Sequence, residues 1–287
     1  MGLNIRTNVE SLRSQRDLNA TTGRLRTAYA RLSSGLRITR AADDAAGLAI
    51  AEQLKADARI ASVAIRNAND GVSIIAITDG AINEITNTLT RMAELAEQSA
   101  NGVYSTAQRS ALQLEFQALA SEAERIAQTT EFNGLSLLVG SSSIVFQVGF
   151  NGLSNSQVAY SGVQATLSAM GLAPAGAANL IYSINATTPI LAQEASRAAL
   201  DAVKLAITSL TRSRGTLGAA ESRLTVDIEN LQVARENFMA AESRIRDVDV
   251  AAEAAELTRL NILQQAATAM VAQANQQPGL ALQLLQG

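Results

Sequence analysis

The side chains that could do chemistry here are carboxylates, and they stand almost alone. Asp43-Asp44 and Asp247/Asp249 are acidic pairs that could share a proton or begin a divalent-cation site. Either role needs companions. The 287-residue chain has no histidine and no cysteine. That removes the commonest general base, the usual transition-metal ligands, the thiolate nucleophile and any disulfide framework. No P-loop, HExxH, GxSxG or dinucleotide fingerprint appears. The acids read better as caps or surface charge. Asp43 or Asp44 stands just ahead of a long helical pattern, where a carboxylate accepts orphan backbone N–H groups and suits the helix dipole. The expectation is a protein that is not an enzyme and carries no cofactor or metal.

The elements that position these acids are helices with unusually thin apolar faces. Apolar residues make up 47% of the chain but aromatics only 3%, with no Trp. Such a chain must bury Ala, Leu, Ile and Val, which suits helix–helix seams better than a thick core. From Leu54 the spacing alternates four and three through Ala58, Ala61, Ile65, Ala68, Val72, Ile75, Asp79 and Ile82, and continues with a small slip through Ile85, Leu89, Met92 and Ala96. A 3.5-residue repeat over that many turns predicts a long helix laid along another helix. Asn69-Asp70-Gly71 reads locally as a turn, yet the repeat runs straight through it. The phase predicts helix, with Gly71 costing about 1 kcal/mol relative to Ala.

The rest of the chain repeats the theme. Leu18, Leu25 and Leu32 stand seven apart in a basic amphipathic helix expected from about Val9 to Leu32. Residues 1–37 carry seven arginines against Glu10 and Asp17. Polar Asn19 and Thr22, and the lack of Trp, favour a partner helix over a membrane surface. Ser33-Ser34-Gly35 breaks this helix, and Ser99-Ala100-Asn101-Gly102 ends the long one. A further helix follows with Leu112, Phe116, Leu119, Ala123 and Ile126, expected to pack antiparallel. Between 130 and 190, Asn133-Gly134 and Asn151-Gly152 signal hairpin turns among three alternating runs, so a small β region of two or three hairpin strands is expected. Gly171 to Ala178 reads as loop, and Pro189 marks its exit. Helix resumes near Ile190, where Leu217, Leu224, Leu231, Phe238 and Ile245 stand seven apart, with local softening expected near Gly215. Last, Leu260, Leu263, Ala267, Met270 and Ala274 keep four-three spacing in a segment, Leu257 to Gly287, whose one charge is Arg259. A free tail so apolar would aggregate, so it must be covered in an assembled state.

The fold class is therefore mainly α: a long antiparallel helical hairpin or coiled-coil bundle with a small β-hairpin region. Net charge is −3, and aromatics do not interleave with the arginines of residues 1–37, so nucleic acid is not an expected partner. No apolar run reaches membrane-spanning length, and no membrane insertion is expected. The start, MGLNIRTNVE, lacks the apolar stretch of a secretory signal. Asn185-Ala186-Thr187 fits the N-glycosylation pattern.

These same stretches carry a family resemblance. RLSSGLRI (31–38), ADDAAGLAIA (42–51), RNANDGVSI (66–74), ELAEQSANG (94–102) and FNGLSLL (132–138) at one end, with Ala241 to Ile245, ILQQAATAMVAQANQQP (262–278) and Leu284-Leu285 at the other, resemble bacterial flagellin. The likeness covers roughly 1–140 and 190–287. It implies a terminal coiled-coil domain of 1–43 with 246–287 forming the inner core of a filament, and an outer helical domain of 44–245 without large variable insertions. It implies a homo-oligomeric helical filament serving motility, secretion through the flagellar type III pathway, an export chaperone on about Leu257 to Gly287, and cap and hook-associated partners. In many members a vertebrate Toll-like receptor recognises a helix patch whose matching positions are Arg91, Leu95 and Glu115. Arg246 and Val250 depart from the family pattern. On this reading the subunit-packing residues are Leu18, Leu25, Leu32, Leu260, Leu263, Ala267, Met270 and Ala274. The body seam is Leu54, Ile65, Val72, Ile75, Ile82, Leu89, Leu217, Leu224, Leu231, Phe238 and Ile245. The rival is another secreted or signalling helical coiled-coil assembly protein, which leaves the β region and the uncharged tail unexplained.

Overall fold

The computed structural model describes residues 7–140 and 143–286, without the side chains of 278 and 280–286. Five helices dominate: α1 (Val9–Ser34), α2 (Ala45–Ala100), α3 (Thr106–Thr129), α4 (Pro189–Arg246) and α5 (Val250–Gln286). Four short strands lie between α3 and α4: β1 (Glu131–Phe132), β2 (Leu135–Ser136), β3 (Ile144–Gln147) and β4 (Gln157–Tyr160). The chain divides into two compact units, one of Met1–Ala58 with Glu236–Gly287 and one of Arg59–Arg235.

In the second unit the core is a set of seams. Buried along α2 are Ala61, Ala68, Ile75, Ile82, Ile85, Leu89, Met92 and Ala96. Facing them are Phe116, Ala120 and Ala123 of α3, and Ala199, Val203, Leu210, Leu217 and Leu224 of α4. Of the expected body seam, Ile75, Ile82, Leu89, Leu217 and Leu224 lie on these buried faces, with Ile65 and Val72 half-buried and Leu231 buried further along α4; Leu54, Phe238 and Ile245 are half-buried and belong to the first unit. Asp79, which shared the spacing, is a half-exposed partner of Arg214, whose Nε and Nη2 donate to its carboxylate at 2.7 and 3.0 Å. Ser99 with Ser196 and Asp79 with Arg214 show α2 and α4 running antiparallel. Helix α4 is continuous through Gly215 and Gly218, so the softening expected there is not seen.

Asn69-Asp70-Gly71 is helix, and its glycine has a packing reason. A Cβ at Gly71 would stand 3.0 Å from Leu224 and 3.2 Å from the ring of Phe146. The missing side chain lets α4 and β3 both approach α2. Asn67 completes the dock by donating its Nδ2 to the Gln147 carbonyl at 3.0 Å.

The β region is two separate two-stranded antiparallel sheets, β1 with β2 and β3 with β4. Asn133 and Gly134 both take positive φ, 50° and 76°, as a two-residue type I′ turn requires. Asn151-Gly152 makes no such turn. It lies in the longer connection 148–156, where the Asn151 Oδ1 accepts from the Leu153 N–H and the Ser156 hydroxyl. The dipeptide serves the loop's internal hydrogen bonds, not a tight reversal, which corrects the expectation.

Four buried polar residues, Arg109, Ser99, Ser196 and Glu124, had no signature in the sequence. Arg109 is 0% exposed. Its Nε donates to the Ser99 carbonyl at 3.0 Å, Nη2 to Asn101 at 3.0 Å and Nη1 to Pro189 at 3.3 Å. No carboxylate among the described residues pairs with it. The C-terminal end of α2 stabilises the charge instead, through carbonyls that have no helical partner. Beside it Ser99 and Ser196 both donate to the Ile184 carbonyl. Glu124 accepts the Leu167 N–H at 2.7 Å and pins the loop over α3.

Three substitutions check this account. Gly71→Ala should lower stability to urea, because overpacking costs about 1–3 kcal/mol and exceeds the gain in helix propensity of about 1 kcal/mol. Gly80→Ala, on the same helix with nothing near its Cβ position, should instead raise stability by up to about 1 kcal/mol. Arg109→Met keeps the apolar stem but orphans the buried Ser99 carbonyl and removes the donors from the Asn101 and Pro189 carbonyls. It should cost about 1–3 kcal/mol in thermal or urea unfolding of the monomer.

Candidate assembly surface

In the first unit, α1 and α5 form an antiparallel pair. The Asn8 Nδ2 donates to the Ala274 carbonyl at 2.7 Å, and the Ser11 hydroxyl donates to the Asn275 Oδ1 at 2.6 Å. Further along, Thr22 meets Gln264, and Arg31 lies 4.0 Å from Glu253. The covered face of α1 is Ser11, Ser14, Leu18, Thr21, Leu25, Ala28 and Leu32. That of α5 is Glu253, Leu257, Leu260, Gln264, Ala267, Val271 and Ala274. Both step three and four.

The expected packing residues thus divide. Leu18, Leu25, Leu32, Leu260, Ala267 and Ala274 lie on the intrachain seam. Leu263 and Met270 do not: they are 42% and 61% exposed. The two spacings share Leu260, Ala267 and Ala274, and only the partner's position tells them apart. Gln264 and Val271 take the places inside the pair that the spacing had assigned to Leu263 and Met270. Their displacement leaves α5 with a second apolar stripe, Ile262, Leu263, Ala266 and Met270, exposed in the single chain. The Leu284-Leu285 pair lies outside the residues whose side chains are described.

Where α1 meets α2, and α4 meets α5, the two breaks in the sequence come together as one joint. Gly35 closes α1 with φ 71°, the left-handed conformation that favours glycine. Beyond it Leu36 and Asp247 form an antiparallel bridge. The Arg37 N–H donates to the Arg246 carbonyl at 2.6 Å, and the Val248 N–H to the Gly35 carbonyl at 3.0 Å. The Arg37 guanidinium donates to the Ile245 carbonyl at 2.6 Å, and Arg246 pairs with Glu52 at 2.6 Å. Ile38 is buried beside this joint at 1% exposure. Both Ser33-Ser34-Gly35 and the charged stretch Arg244-Ile245-Arg246-Asp247-Val248-Asp249 separate a terminal heptad helix from a central rod, and a chain that doubles back brings two such breaks together; the backbone bonds between them were not legible in the sequence.

The acidic pairs are caps and braces. Asp44 accepts the Gly47 N–H at 2.9 Å at the start of α2, and a Cβ on Gly47 would collide with that carboxylate. Asp43 accepts from the Thr39 N–H, the Thr39 hydroxyl and the Arg40 N–H. Those bonds, led by the one from the Thr39 backbone, hold its carboxyl below the ordinary carboxylate range. Asp249 caps α5 by accepting from Ala251 and Ala252. No cluster of three or more metal-ligating side chains occurs among the described residues.

The remaining expected sites are distributed unevenly. Arg91 and Glu115 are exposed and bonded to each other at 2.9 Å, and Arg91 also pairs with Glu94. Leu95 is 1% exposed and lies in the core, so it shares no surface with them. Asn185 of the glycosylation pattern is half-buried, and its Oδ1 is enclosed without a donor. Among the described residues no helix is long and apolar enough to cross a membrane.

Comparison with known proteins agrees with this arrangement. The family model of the bacterial flagellin N-terminal helical region matches residues 5–143, and that of the C-terminal helical region matches 200–285. The chain is 42% identical to a flagellin of Halalkalibacterium halodurans over 97% of this chain and 98% of that one. It is 37% identical to the flagellar filament 33 kDa core protein of Treponema phagedenis, again over 97% and 98%. A solved structure described as a flagellar hook-associated protein of Vibrio parahaemolyticus shares the fold, with TM-score 0.59 and 13% identity over 71% of this chain and 100% of that one. Two matching end regions, near-complete coverage and a helical body with paired terminal helices place this chain in the bacterial flagellin family.

Proposed function

We propose that the chain polymerises through its terminal pair, with α1 and α5 forming the inner core of the filament and the helical body of 44–245 lying outside it. As a flagellin it is a structural subunit of the flagellar filament and not an enzyme. One observation carries the assembly reading. After α5 has covered one face with α1, it still exposes Ile262, Leu263 and Met270 at 62%, 42% and 61%. A stripe of this kind gains about 25 cal/mol for each Å² of apolar surface removed from water. A neighbouring copy can supply the cover. Contacts between unlike patches that do not close on themselves continue as a helical fibre, and the same burial offsets the entropy of ordering the ends.

The remaining partners follow from this use of α5. A sticky helix whose only charge beyond Leu257 is Arg259 needs a holder before assembly, which fits an export chaperone on about Leu257 to Gly287. Terminal helices that order only when covered fit passage through the flagellar type III channel to the cell exterior, growth beneath a cap protein, and a start on hook-associated proteins. For recognition by a vertebrate Toll-like receptor, Arg91 and Glu115 offer the exposed contact, with Leu95 supporting it from the core.

Leu263→Glu with Met270→Glu should abolish filaments seen by electron microscopy while leaving monomer helicity by circular dichroism within error. Normal filaments from that variant would overturn the assembly reading. Purified monomer should activate a Toll-like receptor reporter, and Arg91→Ala with Glu115→Ala should reduce the response. A silent reporter with the unaltered chain removes that partner.

A further inference from the structure

One five-residue stretch occurs twice in the outer body, as Phe132-Asn133-Gly134-Leu135-Ser136 and as Phe150-Asn151-Gly152-Leu153-Ser154. A third Asn-Gly stands at Asn101-Gly102. This dipeptide can modify itself. The glycine nitrogen, once it has lost its proton, attacks the Asn Cγ. The new N–Cγ bond closes an imide ring, and the side-chain nitrogen leaves as ammonia. Water then opens the ring at either carbonyl, giving aspartate or isoaspartate. The reaction needs only water. Asn133 and Asn151 have the same neighbours, so an unfolded chain treats them alike. Any difference between them belongs to the fold.

The fold treats them very differently. Ring closure needs the glycine nitrogen to eclipse the Asn Cβ. In an L-residue that sets ψ near about −120°, the value at the first central residue of a type II′ turn, whose φ is about +60°. Asn133 already holds φ 50°. Turning over the single peptide between Asn133 and Gly134 converts the type I′ turn to type II′ and brings the Gly134 nitrogen to Cγ. Gly134 accepts the change of φ that follows. Both turn types join the same flanking pair, Phe132 with Leu135. Among the described residues, neither the Asn133 carbonyl nor its side chain has a hydrogen-bond partner to lose. Both turn residues are exposed, and the space beside Gly134 is open to 4 Å.

The other two peptides are held in place. The Asn101 carbonyl accepts from Arg109 Nη2 at 3.0 Å, and its Oδ1 accepts the Val103 N–H at 3.3 Å. The Asn151 carbonyl accepts from Gln147 Nε2 at 2.6 Å, and its Oδ1 accepts from the Leu153 N–H and the Ser156 hydroxyl. Neither asparagine has a positive φ. With φ negative, a ψ near about −120° lies outside the regions open to an L-residue. We propose that Asn133 is a site of spontaneous deamidation, selected by the fold over Asn101 and Asn151, which places a new carboxylate at the tip of the β1–β2 hairpin. The isoaspartyl product also adds a methylene to the main chain of a two-residue loop. That shifts Glu131 and Phe132 out of register with Ser136 and Leu135.

The test uses purified full-length monomer, kept at mildly alkaline pH and sampled over days. Mass spectrometry of the three Asn-Gly peptides reads the replacement of NH2 by OH, and enzymatic methylation of isoaspartate counts that product separately. Asn133 should convert at least about fivefold faster than Asn101 or Asn151, the factor that one net hydrogen bond is worth. In concentrated urea, Asn133 and Asn151 should convert at the same rate. Conversion of Asn101 or Asn151 as fast as Asn133 in the folded chain overturns the proposal. So does a folded chain in which no site converts while the urea sample does. A preference for Asn133 over Asn151 that survives urea overturns it as well, because the fold would not be its cause. The readout concerns the body of a single chain, so its failure leaves the filament reading untouched, and failure to polymerise leaves this result standing.

Discussion

The structure depends on helices that approach one another closely because small residues line their contacts. Along α2 the buried positions Ala51, Ala58, Ala61, Ala64, Ala68 and Gly71 leave little between one backbone and the next. Each such contact buries modest area, so stability must come from repetition over many turns. That is why α2 and α4 run to 56 and 58 residues. It also explains why Gly71 is tolerated inside a helix: what is lost in propensity is regained where Leu224 and Phe146 close on it.

Thin seams leave few places to hide polar groups, and the exceptions sit where chain segments must be joined. Arg109 gathers the end of α2 and the entry of α4. Glu124 fastens the loop at Leu167 to α3. Arg37 and Arg246 fasten the joint between the terminal helices and the rods they continue from. In each case a long charged side chain binds backbone groups or a surface acid. Among the described residues no ion pair is fully buried, which avoids the cost of desolvating one.

Periodicity made most of the fold readable. The five helices, the passage of α2 through Asn69-Asp70-Gly71 and the turn at Asn133-Gly134 all follow from spacing and turn chemistry. Two kinds of feature did not. A heptad pattern says that a helix has a seam, but when two stripes share every second position it does not say which one the partner covers. Leu263 and Met270 therefore looked like Leu260 and Ala267, and only the position of α1 separates them. Long-range polar contacts were equally hidden. Nothing near Arg109 in sequence announces that its guanidinium ends on the carbonyl of Pro189, and Asn151-Gly152 carries a turn signature that the loop uses for internal bonding. The assembly surface was legible as a sticky segment with a single charge, not as a defined stripe.

The reach of Arg109 has a temporal meaning. One of its three acceptors belongs to Pro189, eighty positions further along the chain. However the polypeptide is delivered, one end first, the earlier half holds a cation whose shelter is incomplete until the later half arrives. A partial chain that closes α2 on α3 therefore leaves the guanidinium one acceptor short, and the set is complete only when both halves are present together.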